Sequence, residues 1–166
     1  LSGGTGSVSH TEEVPSFLPD RFEPGTPNIP GILGLHAALC DLEQTDMGKL
    51  HQHELELTQY FINGLMQMDP PESTLRAIGK HNTIERTSVV SVQTLQTDMA
   101  RVAYEMDDTY GIMTRVGLHC APSAHKTLGT YPEGTIRFSF GPENTHHEVD
   151  LALHALAEIT GSPYHL

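Results

Sequence analysis

Apolar residues recur at helical spacing in four stretches of this chain and alternate at strand spacing in four others. Ile32, Leu35, Leu39 and Leu42 form the first helical stripe. Asn28 and Pro30 stand where a cap and a first turn belong, and Gly31, Gly34, Ala37 and Ala38 would let the helix approach a neighbour closely. Leu50, Leu57, Phe61 and Leu65 predict a second helix over about residues 46–68, ended by Asp69-Pro70-Pro71. Residues 74–79 are a short strand candidate. Residues 86–94 are a stronger one, with Val90 and Val92 on one face and Val89 on the other. Thr97 and Asp98 are suited to cap a third helix carrying Met99, Val102, Ala103 and Met106. Ile112, Thr114, Val116 and Leu118 share one face of the next strand, which ends on His119 and Cys120 before a turn at Pro122. In residues 135–140, Ile136, Phe138 and Phe140 share a face, so Arg137 points from the other. Thr145-His146-His147-Glu148 is a capping-box pattern opening a last helix, with Val149, Ala152, Leu153, Leu156 and Ile159 inward. This order predicts an α+β domain whose sheet is mostly antiparallel and covered by helices on one face.

The first 31 residues break the pattern. Pro15, Pro19, Pro24, Pro27 and Pro30 interrupt them, together with a glycine-rich start, and only short apolar groups lie between. Such a stretch is irregular backbone, and at this length it is usually functional or disordered. The chain opens Leu1-Ser2-Gly3-Gly4 without a methionine and reads as a piece of a longer one.

Charge and cysteine usage narrow the partners. Nine Lys and Arg against 21 Asp and Glu leave a net charge of -12, with the cations scattered. That argues against a nucleic-acid backbone or an anionic membrane as the main partner. There is no run of ~18 apolar residues and no signal-peptide pattern, so a soluble protein is expected. Cys40 lies in an apolar helical pattern and Cys120 at a loop mouth, which makes a structural disulfide a poor expectation and favours a reducing cytoplasm.

The candidate chemistry gathers at Cys120. A thiol at the lip of a strand, near His119, His125 and Arg115, stands where cationic neighbours would favour the thiolate. A buried, inert cysteine is the competing reading. A zinc site from His119, Cys120 and His125 lacks a fourth ligand at a recognisable spacing, so no metal is expected. A nucleophile pair with His125 as base for Cys120 lacks an orienting third residue. Lys126, after His125, resembles the dress of a Schiff-base lysine, but a dipeptide alone carries little.

Three ordered segments carry a resemblance. Gly3-Gly4-Thr5-Gly6-Ser7 with Phe17-Leu18-Pro19-Asp20-Arg21-Phe22-Glu23-Pro24-Gly25-Thr26-Pro27-Asn28 is the first. The second is Tyr110-Gly111-Ile112 with Arg115-Val116-Gly117-Leu118-His119-Cys120-Ala121-Pro122. The third is Gly134-Thr135-Ile136-Arg137-Phe138-Ser139 with Asn144-Thr145. Together they resemble class V pyridoxal phosphate enzymes, the aminotransferase and cysteine desulfurase family. The resemblance implies the small C-terminal domain of the fold type I architecture. Residues 1–27 would be a loop remnant of the large cofactor-binding domain, 28–45 a connecting helix, and 46–166 the small domain. Cys120 would be catalytic, taking sulfur from cysteine as a persulfide and releasing alanine. Arg137, with His119 and Arg115, would bind the substrate, and Gly25 and Thr26 would reach the cofactor phosphate across a homodimer. In the family the Schiff-base lysine lies upstream of the first residue here, so Lys126 is not that lysine and the chain alone would be inactive. A sulfur-acceptor protein is an implied partner. Other class V reactions (aminotransferase, epimerase or lyase) and a non-catalytic partner-binding module are the alternatives.

Overall fold

The computed structural model describes residues 4–68, 74–162 and 164 of the chain. They fall in two compact units, Leu1–Asp46 and Met47–Leu166.

In the first unit, irregular backbone leads to helix α1 (Ile29–Gln44). Asn28 caps it, its Oδ1 accepting from the Gly31 amide at 3.1 Å, and Pro30 occupies the first turn, where a missing N–H costs nothing. The loop before it folds on itself. The buried Thr5 accepts from the Val8 amide through Oγ1 (2.9 Å) and, through its carbonyl, from the Gly25 amide (2.9 Å). A Cβ added to Gly6 would lie 2.7 Å from the Gly25 carbonyl oxygen, so these two backbones cross where no side chain fits. No residue of α1 is buried, and Gly31, Gly34, Ala37 and Ala38 are all exposed.

The second unit runs α2 (Met47–Gln67), β1 (Leu75–Ile78), β2 (Val89–Thr94), α3 (Met99–Tyr110), β3 (Arg115–Gly117), α4 (Pro122–Leu128), β4 (Thr135–Ser139) and α5 (His146–Thr160). The strands form one sheet in the order β1-β2-β4-β3, every pairing antiparallel, in line with the mostly antiparallel sheet expected from the order of elements. Val90 pairs with Phe138 and Val92 with Ile136, which puts all four on one face. That face is buried under Leu57, Phe61, Ile62 and Leu65 of α2, Val102 and Met106 of α3, and Val149, Leu153 and Leu156 of α5. Phe61 anchors the contact, its ring 4.7 Å from that of Phe138 and 5.3 Å from that of Phe140. The stop predicted at Asp69-Pro70-Pro71 lies outside the described residues.

Caps fix the helix ends. Asp98 accepts from the Arg101 amide at 2.8 Å. Thr145 and Glu148 form the full capping box, Glu148 N–H donating to Thr145 Oγ1 (3.3 Å) and Thr145 N–H to Glu148 Oε2 (2.8 Å). Thr145→Ala is therefore expected to lower stability by about 1 kcal/mol, read as a lower urea midpoint at unchanged slope.

Three sequence expectations need correction. The strand expected from residue 86 begins at Val89. The strand expected over 112–118 shrinks to Arg115–Gly117, because α3 holds on to the residues before it: Gly111 is left-handed (φ 68), its amide bonds Asp107, and the Ile112 amide reaches back to the Met106 carbonyl at 2.8 Å. The turn expected at Pro122 is the start of a helix, α4, opened by Pro122 and closed by the left-handed Gly129.

Candidate functional site

The polar face of the sheet carries the charge. Arg137 of β4 pairs with Arg115 of β3 on one side and Ser91 of β2 on the other, so both arginines leave the same face, away from the helices. Like charges directly opposite one another are unfavourable, a cost that an anion between them would offset. Arg137 is half-buried and its Nε is buried without a hydrogen-bond partner, while Arg115 is exposed. A buried, unmatched guanidinium N–H calls for an acceptor, and a carboxylate matches the planar fork of arginine.

Beyond β3 the chain turns sharply. The Ala121 amide donates to the Leu118 carbonyl at 2.8 Å, and the two residues between, His119 (φ 49) and Cys120 (φ 58), are both left-handed. This is the backbone pattern of a type I′ turn, which glycine and asparagine usually fill. With side chains at both positions the turn stores about 1–2 kcal/mol per residue. It sets an exposed, free Cys120 at its tip.

His119 turns toward β4. Its Nε2 lies 3.3 Å from Thr135 Oγ1, and its Nδ1 is buried without a partner. Burial lowers its pKa below the usual histidine value, with Arg137, His125 and Arg115 adding to the effect and the Thr135 backbone, as hydrogen-bond acceptor, opposing it. These surroundings favour the neutral imidazole.

The other sequence candidates separate from this group. His125 is buried in α4 and its Nδ1 pairs with Thr130 Oγ1 at 2.7 Å, which commits one of its two ring nitrogens. Its ring lies 5.8 Å from that of His119. Among the described residues no group of three His, Cys, Asp or Glu is arranged to hold a metal. Lys126 lies over the Tyr131 ring at 5.0 Å. Gly25 and Thr26 belong to the first unit. Gly25 is left-handed (φ 89) and its amide is spent on Thr5, whereas Thr26 is exposed. Thr135, Thr130 and Gly134 were not singled out in the sequence as site residues. The one signal for Gly134 and Thr135 is their place in the segment Gly134–Ser139, which also holds Arg137.

The profile of the family described as Aminotransferase class-V matches residues 1–152. A probable cysteine desulfurase of Pyrococcus abyssi is 35% identical over 144 residues, covering 87% of this chain and 34% of that protein. One of Staphylococcus epidermidis is 33% identical over 157 residues, covering 91% and 35%. Among solved structures, the apo cysteine desulfurase of Thermococcus onnurineus superposes with a TM-score of 0.74 at 34% identity, covering 97% of this chain and 38% of the other. A cysteine desulfurase of Escherichia coli gives 0.72 at 27% identity, covering 96% and 39%. The chain thus spans about a third of the length of the curated relatives it matches. The fold of these neighbours is fold type I, and the antiparallel, helix-covered sheet seen here agrees with it. The chain belongs to the class-V aminotransferase family of pyridoxal-phosphate-dependent enzymes.

Proposed function

We propose that this chain is the C-terminal part of a cysteine desulfurase, in which Cys120 accepts the sulfur of free cysteine as a persulfide and alanine leaves. The observation that carries this reading is the exposed Cys120 thiol, held at the tip of a left-handed turn beside the strand pair that presents Arg115 and Arg137 together. Each residue has a chemical task. The two arginines bind and orient the substrate carboxylate, and the unmatched Nε of Arg137 is the donor that a bound carboxylate would satisfy. His119, kept neutral, adds no third positive charge beside the thiol and leaves a nitrogen free to take or share a proton. Pyridoxal phosphate, when bound, supplies an electron sink for carbon chemistry.

The residues of this chain fit a part of that cofactor's requirements. In the glycine-shaped loop, the exposed Thr26 is suited to donate to a phosphate, and Gly25 gives the loop the turn that presents it. By this reading Thr26 serves the phosphate bound in the partner subunit of a homodimer. Lys80 is paired with Glu85 at 2.8 Å and Lys126 covers Tyr131, so neither is offered as the cofactor's lysine. That lysine belongs to the larger part of the relatives that this chain does not span. Residues 1–27 then belong with the cofactor-binding domain, 28–45 connect, and 46–166 form the small domain. The enzyme works in the cytoplasm and hands its sulfur to an acceptor protein. No helix among the described residues is long and apolar enough to cross a membrane.

One observation favours a second role. Ile32, Leu33, Leu35 and Leu39 of α1 are each more than half exposed, which suits a surface that docks a partner. The test of the main reading is to offer the intact enzyme a panel of amino acids together with a thiol reductant, which releases persulfide sulfur as sulfide, and measure alanine and sulfide. Stoichiometric alanine and sulfide from cysteine is expected, and turnover of other amino acids with none from cysteine would reassign the reaction within the family. The 166-residue chain alone, given cofactor and cysteine, is expected to release no sulfide.

A further inference from the structure

The unmatched nitrogen of His119 raises a question that the reading above leaves open, namely which ring nitrogen carries the proton. Nε2 lies against Thr135, whose hydroxyl is 3.3 Å away and whose side chain is buried, 1% exposed. Nδ1 is buried with no partner. A neutral imidazole has one donor and one acceptor nitrogen, so two arrangements exist. In the first, Thr135 donates to Nε2 and an N–H at Nδ1 is buried with nothing to accept it. In the second, Nε2–H donates to Thr135 and Nδ1 keeps a bare lone pair. Orphaned buried N–H groups are rarer than under-satisfied acceptors, at least in the backbone, where this has been counted. The Thr135 backbone acts on this ring as an acceptor, which draws the proton toward Thr135.

We propose that Thr135 is a positioning residue for the thiol turn: its hydroxyl, bonded to His119 Nε2, holds the proton there and leaves Nδ1 as an unprotonated nitrogen on the residue preceding Cys120. The backbone is built to hold this pair in register. Thr135 is the partner of Gly117, the last residue of β3, and His119 follows Gly117 by two. The turn geometry leaves His119 little freedom, since φ is already left-handed at both its central residues. The buried His125–Thr130 pair next to it repeats the pairing of an imidazole with a threonine hydroxyl, but there the bonded nitrogen is Nδ1. The two histidines are therefore expected to differ in how their rings are tied.

This inference rests on the desulfurase reading only for its purpose, since it places a proton acceptor next to the residue that must work as a thiolate. The tautomer itself is read without cofactor, substrate or turnover. The experiment is a long-range proton–nitrogen correlation spectrum of the imidazoles in the 166-residue chain in neutral buffer, with His119 assigned by its loss in His119→Gln. The wild-type chain is expected to show a protonated Nε2 and a bare Nδ1. Thr135→Val, which keeps the shape and the backbone carbonyl but removes the hydroxyl, is expected to weaken the preference for that tautomer and move the two nitrogen shifts toward their average. Thr135→Ser is expected to restore the wild-type pattern. The His125 signals, unchanged throughout, report that the unit remains folded. A protonated Nδ1 in the wild type overturns the proposal, and so does a Thr135→Val spectrum identical to wild type. Should Thr135→Val fail to fold, the wild-type and Thr135→Ser spectra decide it: a bare Nδ1 in both supports it, and loss of the tautomer in Thr135→Ser overturns it. An intact enzyme that makes no alanine from cysteine would end the desulfurase reading and leave the tautomer result standing.

Discussion

Gly134→Ala is expected to destabilise the Met47–Leu166 unit by about 2–5 kcal/mol, a shift of more than about 1 M in the urea midpoint. Gly134 has φ 84, where an L side chain costs roughly 1–2 kcal/mol. The larger effect is steric. A Cβ there would collide with the carbonyl oxygen and carbonyl carbon of Gly117. These are backbone atoms of the neighbouring strand, so relief requires prying β3 from β4, and overpacking of this kind costs about 1–3 kcal/mol more. Gly111→Ala is the control. Gly111 is also left-handed, φ 68, but nothing lies within 4 Å of its missing Cβ, so that variant should show the conformational cost alone. Equal losses in the two variants would mean that the crossing at Gly134 relaxes freely. The crossing has a functional side, because Gly117 stands three residues before Cys120 and Gly134 three before Arg137. Locking these two backbones together fixes the thiol turn against the arginine strand.

Much of that arrangement is written locally. The stripes of α2, α3 and α5 are long enough for their period to be read, and the Thr145–Glu148 box is a direct side-chain pattern, so these elements form where the residues say. The placement of Arg137 away from the core follows from alternation between Ile136 and Phe138 alone. What escapes such reading depends on partners distant in sequence or on elements too short for a period. Helix α4 has seven residues and buries only His125, which leaves no apolar stripe to detect. The early end of the ladder before Arg115 comes from a backbone bond, Ile112 to Met106, and the apolar alternation of residues 112–118 says nothing about it. The pairing of Arg115 with Arg137 needs strand register, which no single segment contains. The left-handed conformation of His119 and Cys120 is uncommon for any residue other than glycine, although histidine adopts it more often than most, and no local pattern announces two such residues in a row. Resemblance marked Cys120 as functional, and the turn supplies a physical reason for its exposure.

In the intact enzyme, Cys120→Ser is expected to abolish persulfide formation and alanine release while leaving cysteine binding intact. The contrast is chemical. A serine hydroxyl is nearly isosteric with the thiol, but it offers no thiolate near neutral pH and is a poor nucleophile toward sulfur. Nothing in the turn depends on the sulfur, since its closing bond joins the backbones of Leu118 and Ala121. Arg137→Gln should fail in the opposite way. It removes the guanidinium that would meet the substrate carboxylate but leaves the nucleophile in place. Losing one partner of a buried charge pair costs roughly 2–5 kcal/mol, about thirty- to several-thousand-fold in kcat/KM, with weakened substrate binding carrying much of it. Arg115 is exposed and its charge better screened, so Arg115→Gln should cost less. The measurements are persulfide labelling of the enzyme, alanine release, and the cysteine concentration that half-saturates the change in the bound cofactor's absorbance. Undiminished alanine release from Cys120→Ser would remove Cys120 from the reaction. Unaltered half-saturation in Arg137→Gln would show that the unmatched Nε on the polar face of the sheet serves something other than the substrate carboxylate.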